Sequence, residues 1–212
     1  MQRIPIEISA RHLHLSKADA DIIFGKGYQL HVLKNLLQPG SFSTQETVKV
    51  IYKGESEEKS LEKVRIIGPF RDHSQLELAK TDAWRLGAKP PIRLSGNIEN
   101  TLGFEIVGPA GTVTKKEGMI IAKRHLHASP EEAKSLSLKN GDEIEVKAGG
   151  DGERELVFCK VIVRVSEDFK LSMHIDTDEG NAAGMVSCGY GEILESSSRL
   201  NGHSREGGNP GI

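Results

Sequence analysis

Cysteine is scarce: Cys159 and Cys188 are the only two in 212 residues, too few for a disulfide framework or a four-cysteine zinc site. Nothing else marks a secreted chain, and a reducing, cytoplasmic setting fits best. Long apolar runs are missing as well. No segment approaches the roughly 20 apolar residues that cross a bilayer, so no membrane partner is expected. The opening residues, Met1-Gln2-Arg3-Ile4-Pro5-Ile6-Glu7-Ile8, alternate like a strand and lack the uninterrupted apolar core of a signal peptide. A surplus of one charge is absent too: 28 Lys and Arg face 30 Asp and Glu, a formal charge of −2. That balance argues against a nucleic-acid partner, whose phosphates call for excess cations, but it leaves room for local basic pockets. With 37% hydrophobic and 5% aromatic residues, the length admits one large or two small domains around a real core. What is abundant is histidine, eight in all, four of them in two identical tripeptides.

Most of the chain reads as short strands broken by Gly and Pro. Period-two alternation recurs in Ile4-Ile6-Ile8, Val48-Val50-Tyr52, Leu76-Leu78, Ile144-Val146 and Val161-Val163-Val165. Many short strands at this spacing predict small barrels or sandwiches. Helix starts are few: Ser16-Lys17-Ala18-Asp19 and Ser129-Pro130-Glu131-Glu132 each place a hydroxyl before a carboxylate three residues on, and a third short helix is expected after Thr177. Arg11-His12-Leu13-His14-Leu15-Ser16 returns as Arg124-His125-Leu126-His127-Ala128-Ser129. Each copy follows a strand-like run and precedes a helix start, which indicates an internal duplication of a β-rich unit. From about Ser196 the periodicity ends in Gly, Ser and Asn, so 195–212 is expected to be a disordered tail and His203 is discounted as a ligand. The charge run Lys53–Ser60 reads as a solvated, insertion-like loop.

In an extended segment, residues two apart project from one face, so both imidazoles of His12-Leu13-His14 can converge on one cation. His125-Leu126-His127 repeats the arrangement, and repetition favours metal binding over two chance exposed pairs. By spacing alone His174, in Met173-His174-Ile175-Asp176, reads as a strand-end histidine, and Glu77, between Leu76 and Leu78, as a solvated carboxylate. A site of two or three His with at most one carboxylate leaves coordination positions open for substrate, and such N/O ligands suit Zn²⁺ without excluding Co²⁺, Ni²⁺ or Fe²⁺. Arg71 follows the strand-like Val64-Arg65-Ile66-Ile67, while Arg11 and Arg124 precede the His pairs. Beside a dication, such guanidiniums describe a phosphate pocket. Cys159 shares parity with Val161 and Val163 and is expected to fill the core.

Ile8-Ser9-Ala10-Arg11-His12-Leu13-His14-Leu15-Ser16, Lys34-Asn35-Leu36, Gln38-Pro39-Gly40, Gly68-Pro69-Phe70-Arg71 with Gln75-Leu76-Glu77, Val107-Gly108-Pro109-Ala110-Gly111, Lys123–His127 and Met173–Glu179 together resemble the propanediol-utilisation type of phosphate propanoyltransferase, a phosphotransacylase. The resemblance runs from about Ile4 to Met185. It implies a mainly β fold of two small barrels capped by short helices, with the N-terminal strand in the same barrel as the C-terminal half. On that basis residues 1–10 with 123–194 form one barrel and 11–122 the other. It also implies a dinuclear zinc site, two ions per chain: His12, His14 and Glu77 for one, His125, His127 and His174 for the other. Arg71 would bind phosphate, and Ser9, Ala10, Arg11, Lys34, Arg65, His174 and Asn181 fall where the family contacts coenzyme A. A homodimer is implied as well.

The expected activity is reversible transfer of an acetyl or propanoyl group between coenzyme A and inorganic phosphate, forming acyl phosphate directly and without an acyl-enzyme. The first His pair begins eleven residues after Met1, which leaves no room for the extension that targets microcompartment members of the family, so a free cytoplasmic enzyme is expected. The rival reading is a dinuclear metal hydrolase of phosphate esters or thioesters; a scaffold whose histidines serve stability alone leaves Arg71 and the Lys34 region unexplained. His125→Ala or Glu77→Ala is expected to lose metal and nearly all rate, whereas His203→Ala changes neither, as metal analysis with an acyl-transfer assay will register.

Overall fold

The computed structural model describes residues 3–54, 57–149 and 152–194; His203 and the expectation for the tail lie outside the described residues. In chain order the elements are β1 (Arg3–Ser9), β2 (His12–His14), α1 (Lys17–Phe24), β3 (Val32–Asn35), β4 (Phe42–Lys53), β5 (Glu58–Gly68), β6 (Gln75–Leu78), α2 (Lys80–Leu86), β7 (Ile92–Arg93), β8 (Leu102–Val107), β9 (Thr112–Ala122), β10 (His125–Ala128), α3 (Pro130–Ser135), β11 (Glu143–Ala148), β12 (Leu156–Val165), β13 (Ser172–Asp176), α4 (Thr177–Ala182) and β14 (Cys188–Leu194). The chain is mainly β and folds into two closed barrels. One runs β1-β13-β10-β12-β11-β14 and closes where β14 meets β1. The other runs β4-β5-β2-β6-β9-β8 and closes where β8 meets β4; β3 and β7 extend it from β4 and β9. Closure pairs the backbone edges that an open sheet would expose.

The alternating residues fill two separate cores. Ile4, Ile6, Leu126, Val146, Val163 and Met173 pack inside the first barrel. Leu13, Val48, Val50, Ile66, Leu76 and Met119 pack inside the second.

The pairing registers reveal the duplication residue by residue. Strand β2 lies between parallel β5 and antiparallel β6, with His12 opposite Glu77 and Leu13 opposite Leu76. Strand β10 lies between parallel β12 and antiparallel β13, with His125 opposite His174 and Leu126 opposite Met173. Glu77 and His174 are therefore equivalent positions of the two units. The strand that leads into each His pair is exchanged: β1 pairs with β13 beside the second His pair, and β9 pairs with β6 beside the first. Gly180 of α4 permits this exchange to pack, because a Cβ there would lie 2.6 Å from the Ile8 side chain of β1.

Helix ends follow local chemistry in three cases and tertiary contact in the fourth. Ser16 caps α1, Ser129 and Glu132 form a capping box at α3, and Asp176 and Glu179 form one at α4. Helix α2 carries no such signal and was not expected; its N-cap is Ala79, with no side-chain acceptor. The acceptor comes from the other barrel, where Asp178 Oδ2 receives the Thr81 N–H at 2.8 Å.

Two expectations need correction. Lys53–Ser60 is not all loop: β4 runs to Lys53 and β5 starts at Glu58, and these two residues pair with each other. Cys159 is not in the core. Lys160 adopts φ 56° and the β11–β12 register slips there, so Phe158 and Val161 both face inward while Cys159 is exposed. The bulge breaks the period-two parity on which the expectation rested. Asp178→Ala, which removes the cross-barrel cap, is expected to lower stability by about 1 kcal/mol in urea titrations; an unchanged midpoint would contradict the role given to that contact.

Candidate active site at the junction of the barrels

The two His-Leu-His strands face each other across a cleft of about 470 Å³ lined from both barrels. In each, the central leucine is fully buried in its own core, which turns both imidazoles outward on the opposite face. The first imidazole of each pair is held alike: His12 Nδ1 meets Ala10 O at 2.8 Å, and His125 Nδ1 meets Lys123 O at 2.8 Å. His14 Nδ1 meets Ile67 O at 3.2 Å. Backbone carbonyls on Nδ1 fix the protonated nitrogen and leave Nε2 free to coordinate. Glu77 oxygens lie 3.7 Å from Nε2 of both His12 and His14. His12, His14 and Glu77 thus form one compact set of potential ligand atoms, and His125, His127 and His174 form another, each within 4.8 Å.

Burial and mutual proximity set the protonation states. Desolvation, with His125 beside it, lowers His174 to about 3, and desolvation with His125 and His174 nearby lowers His127 to about 2. His14 and His125 are lowered chiefly by burial as well. Burial pushes Glu77 up, but His12, His14, the Ser95 hydroxyl and Arg71 outweigh it and bring the carboxyl down to about 2. At neutral pH His14, His125, His127 and His174 therefore stand as neutral imidazoles and Glu77 as a carboxylate, the forms that bind a cation. Both ring nitrogens of His127 are buried without a hydrogen-bond partner, and Phe169 stacks on the ring at 4.0 Å between centroids. An imidazole in that position is costly unless a metal takes its lone pair. The donor sets, N₂O and N₃ without thiolate, fit zinc with positions left for substrate.

Glu77 is 7% exposed, so the solvated reading of this residue fails. Arg71 lines the cleft and donates to Ser95 Oγ at 3.1 Å; Ser95 in turn donates to Glu77 Oε1 at 2.6 Å. Ser9, Ala10, Arg11 and Arg65 line the same cleft, and Arg11 also pairs with Asp82 at 3.0 Å. Lys34 is exposed on β3 and acts on Glu7 of the cleft wall. Asn181 is exposed on α4 and is not part of the wall. Arg124, grouped by sequence with the phosphate-binding arginines, instead pairs with Glu179 at 2.7 Å and lies outside the wall.

The cation that sequence reasoning missed is Arg164, which lines the cleft opposite His127 in the β10–β12 register. Its signal was a lone charge ending the apolar run Val161-Ile162-Val163. Burial lowers the pKa of both Arg71 and Arg164, and Glu77 opposes that shift in each. Also missed were Gln75, whose amide donates to Glu77 and Ser95, and Glu7, whose carboxylate stands 3.6 Å from His174 Nε2.

Two sets of potential metal ligands and two desolvated arginines converge on one cleft, an arrangement suited to holding a cation beside an anion. The sequence profile of the phosphate propanoyltransferase family matches residues 5–186. Among curated relatives, the phosphate propanoyltransferase of Thermotoga maritima is 44% identical over 180 residues, covering 85% of this chain and 83% of that protein. Those of Lachnoclostridium phytofermentans and Priestia megaterium are 47% and 46% identical, covering 88% and 90% of this chain and 84% and 85% of theirs. The chain belongs to the phosphate propanoyltransferase family.

A pH dependence follows from the buried imidazoles. Their folded pKa values lie below the ordinary 6.5, so the unfolded chain binds protons first and stability is lost as pH falls below about 6.5. Glu77, depressed from 4.5 to about 2, adds to the loss below its ordinary value. The melting temperature of chelated protein is expected to decline steadily between about pH 7 and 5, and His174→Gln to flatten part of that slope; a pH-independent melting point would refute the assignment.

Proposed function

We propose that the enzyme reversibly transfers a short acyl group between coenzyme A and inorganic phosphate at a dinuclear zinc site, directly and without an acyl-enzyme. The observation that carries this reading is the convergence of both ligand sets with Arg71 and Arg164 on one cleft. His12, His14 and Glu77 would hold one zinc, and His125, His127 and His174 the other. Bound there, the ions would supply Lewis acidity and electrostatic anchorage for phosphate and thioester oxygens.

Arg71 and Arg164 present planar donors to phosphate oxygens and offset the charge that would repel a second anion. Ser95 keeps the Arg71 guanidinium in line with Glu77 through two hydrogen bonds. Ser9, Ala10, Arg11, Arg65 and His174 on the cleft wall, with Lys34 and Asn181 outside it, are the proposed contacts for coenzyme A. Holding both partners together removes much of the entropic barrier to their reaction. A small cavity of about 30 Å³ beside His12 and His125, bounded by Ser9, Ala10, Leu78 and Ala122, suits a short acyl chain such as acetyl or propanoyl.

Direct transfer is supported by the settings of three candidate nucleophiles among the described residues. Cys159 is exposed on the β12 bulge, its thiol held above the ordinary value by hydrogen bonding to Glu145. Ser95 donates to a carboxylate too acidic to act as a base, and Ser172 is fully buried against Gln38 and His174. The homodimer and cytoplasmic setting of the resemblance belong to the same reading, and two exposed free thiols suit a reducing compartment.

Acyl-CoA should be consumed only when phosphate is present, with acyl phosphate as product and full loss of rate on chelation. Cys159→Ala should retain appreciable turnover. Phosphate-independent release of free acid would favour the hydrolase, and a dead but folded, metal-replete Cys159→Ala would sink direct transfer.

A further inference from the structure

Helices α1 and α3 start with the same pattern, a serine followed three residues later by a carboxylate, yet the two carboxylates serve different ends. In α3, Glu132 returns to the Ser129 N–H at 2.8 Å and closes its own capping box. In α1 the Ser16 N–H donates to Ser74 Oγ at 2.9 Å, and that hydroxyl donates to Asp19 Oδ2. Lys115 Nζ, arriving from β9, bonds the same oxygen at 2.8 Å. Asp19, Ser16 and Ser74 are all buried. Burial pushes the Asp19 carboxyl up, but the hydrogen bonds from Lys115, Ser74 and Ser16 overturn this and hold it below its ordinary value.

Ser74 ends the segment 69–74 that carries Arg71. A second hydrogen bond ties that segment to the same stretch: the Arg71 N–H donates to Leu15 O at 2.8 Å, and Arg71 forms a parallel bridge with Ser16. The residues just after the first His pair therefore grip the Arg71 segment at two points, and the second point runs through Asp19. Among the described hydrogen bonds, the Arg71 guanidinium has one partner, Ser95 Oγ. Its direction depends on where the segment places its Cα. The side-chain cap of α1, Ser16 Oγ accepting from the Asp19 N–H, uses neither Ser74 nor the Asp19 carboxylate. A part-buried ion pair such as Asp19–Lys115 also gives little net stability, since desolvation and solvent screening offset its attraction.

We propose that Asp19 is a positioning residue for Arg71: through Ser74 it fixes the segment that aims the guanidinium at phosphate. This rests on the reading that Arg71 holds phosphate, so the test treats the two separately. Michaelis constants for phosphate and for propanoyl-CoA are measured on the zinc-loaded enzyme and on Arg71→Ala, Asp19→Asn, Ser74→Ala and the Asp19→Asn/Ser74→Ala double variant, with zinc content and melting temperature for each. Asp19→Asn and Ser74→Ala should each raise the KM for phosphate about tenfold and leave that for propanoyl-CoA within about twofold. The double variant should go no further than the larger single effect, because both changes cut one link. Ser74→Ala keeps the Asp19–Lys115 pair and reads the link even if Asp19→Asn fails to fold. If Arg71→Ala raises the phosphate KM while Ser74→Ala does not, or if both substrates weaken equally in Ser74→Ala, the positioning role is overturned. A phosphate KM unchanged in Arg71→Ala overturns the Arg71 reading itself and takes this proposal with it.

Discussion

Everything at the cleft depends on a two-residue alternation occurring twice. Leu13 and Leu126 must enter their barrel cores, and because strand side chains alternate, the histidines on either side must leave them. A slip of one residue in either strand would bury two imidazoles in an aliphatic core and expose a leucine. The hydrophobic effect on one side of the strand thus sets the coordination geometry on the other. The same rule places Glu77 between Leu76 and Leu78, and His174 between Met173 and Ile175.

That constraint delivers ligands, and polar networks then refine them. Ser95 and Gln75 link Glu77 to Arg71, so carboxylate and guanidinium keep a fixed relation without touching directly. On the opposite wall Phe169 lies between His127 and Arg164, stacking on one and facing the other at 5.6 Å. Gln38 reaches across from the second barrel to the Lys170 backbone and to Ser172 Oγ, tying that wall to its counterpart. Ligand sets from separate cores are in this way held to a single cleft.

The sequence made the strands legible because their apolar period is strict, and the repeated His-Leu-His tripeptide exposed the duplication. Three helices were legible through their own caps, whereas α2 was not, since its acceptor Asp178 belongs to a distant part of the chain. Cys159 misled because a single bulge at Lys160 reverses parity, and no residue pattern there announces a positive φ. Arg164 was hidden for a related reason. Its meaning comes from lying opposite His127, a relation that exists only once β10 and β12 pair. Arg124 shows the converse: sequence proximity to a ligand suggested the cleft, but Glu179 holds it elsewhere.

The exchange of β1 and β9 has a consequence for how the site could diversify. A centre assembled on a twofold axis by two identical polypeptides must carry the same residue at both symmetric positions. Here the two copies share one chain, and each closes its wall with the other's leading strand, so neither copy completes its barrel alone. Covalent union frees the equivalent positions to differ. One copy holds Glu77 where the other holds His174, and Arg65 stands where the other has Ile162. The two walls thereby differ in chemistry at equivalent positions, with a carboxylate and a guanidinium beside the first His pair and an imidazole and an alkyl side chain beside the second.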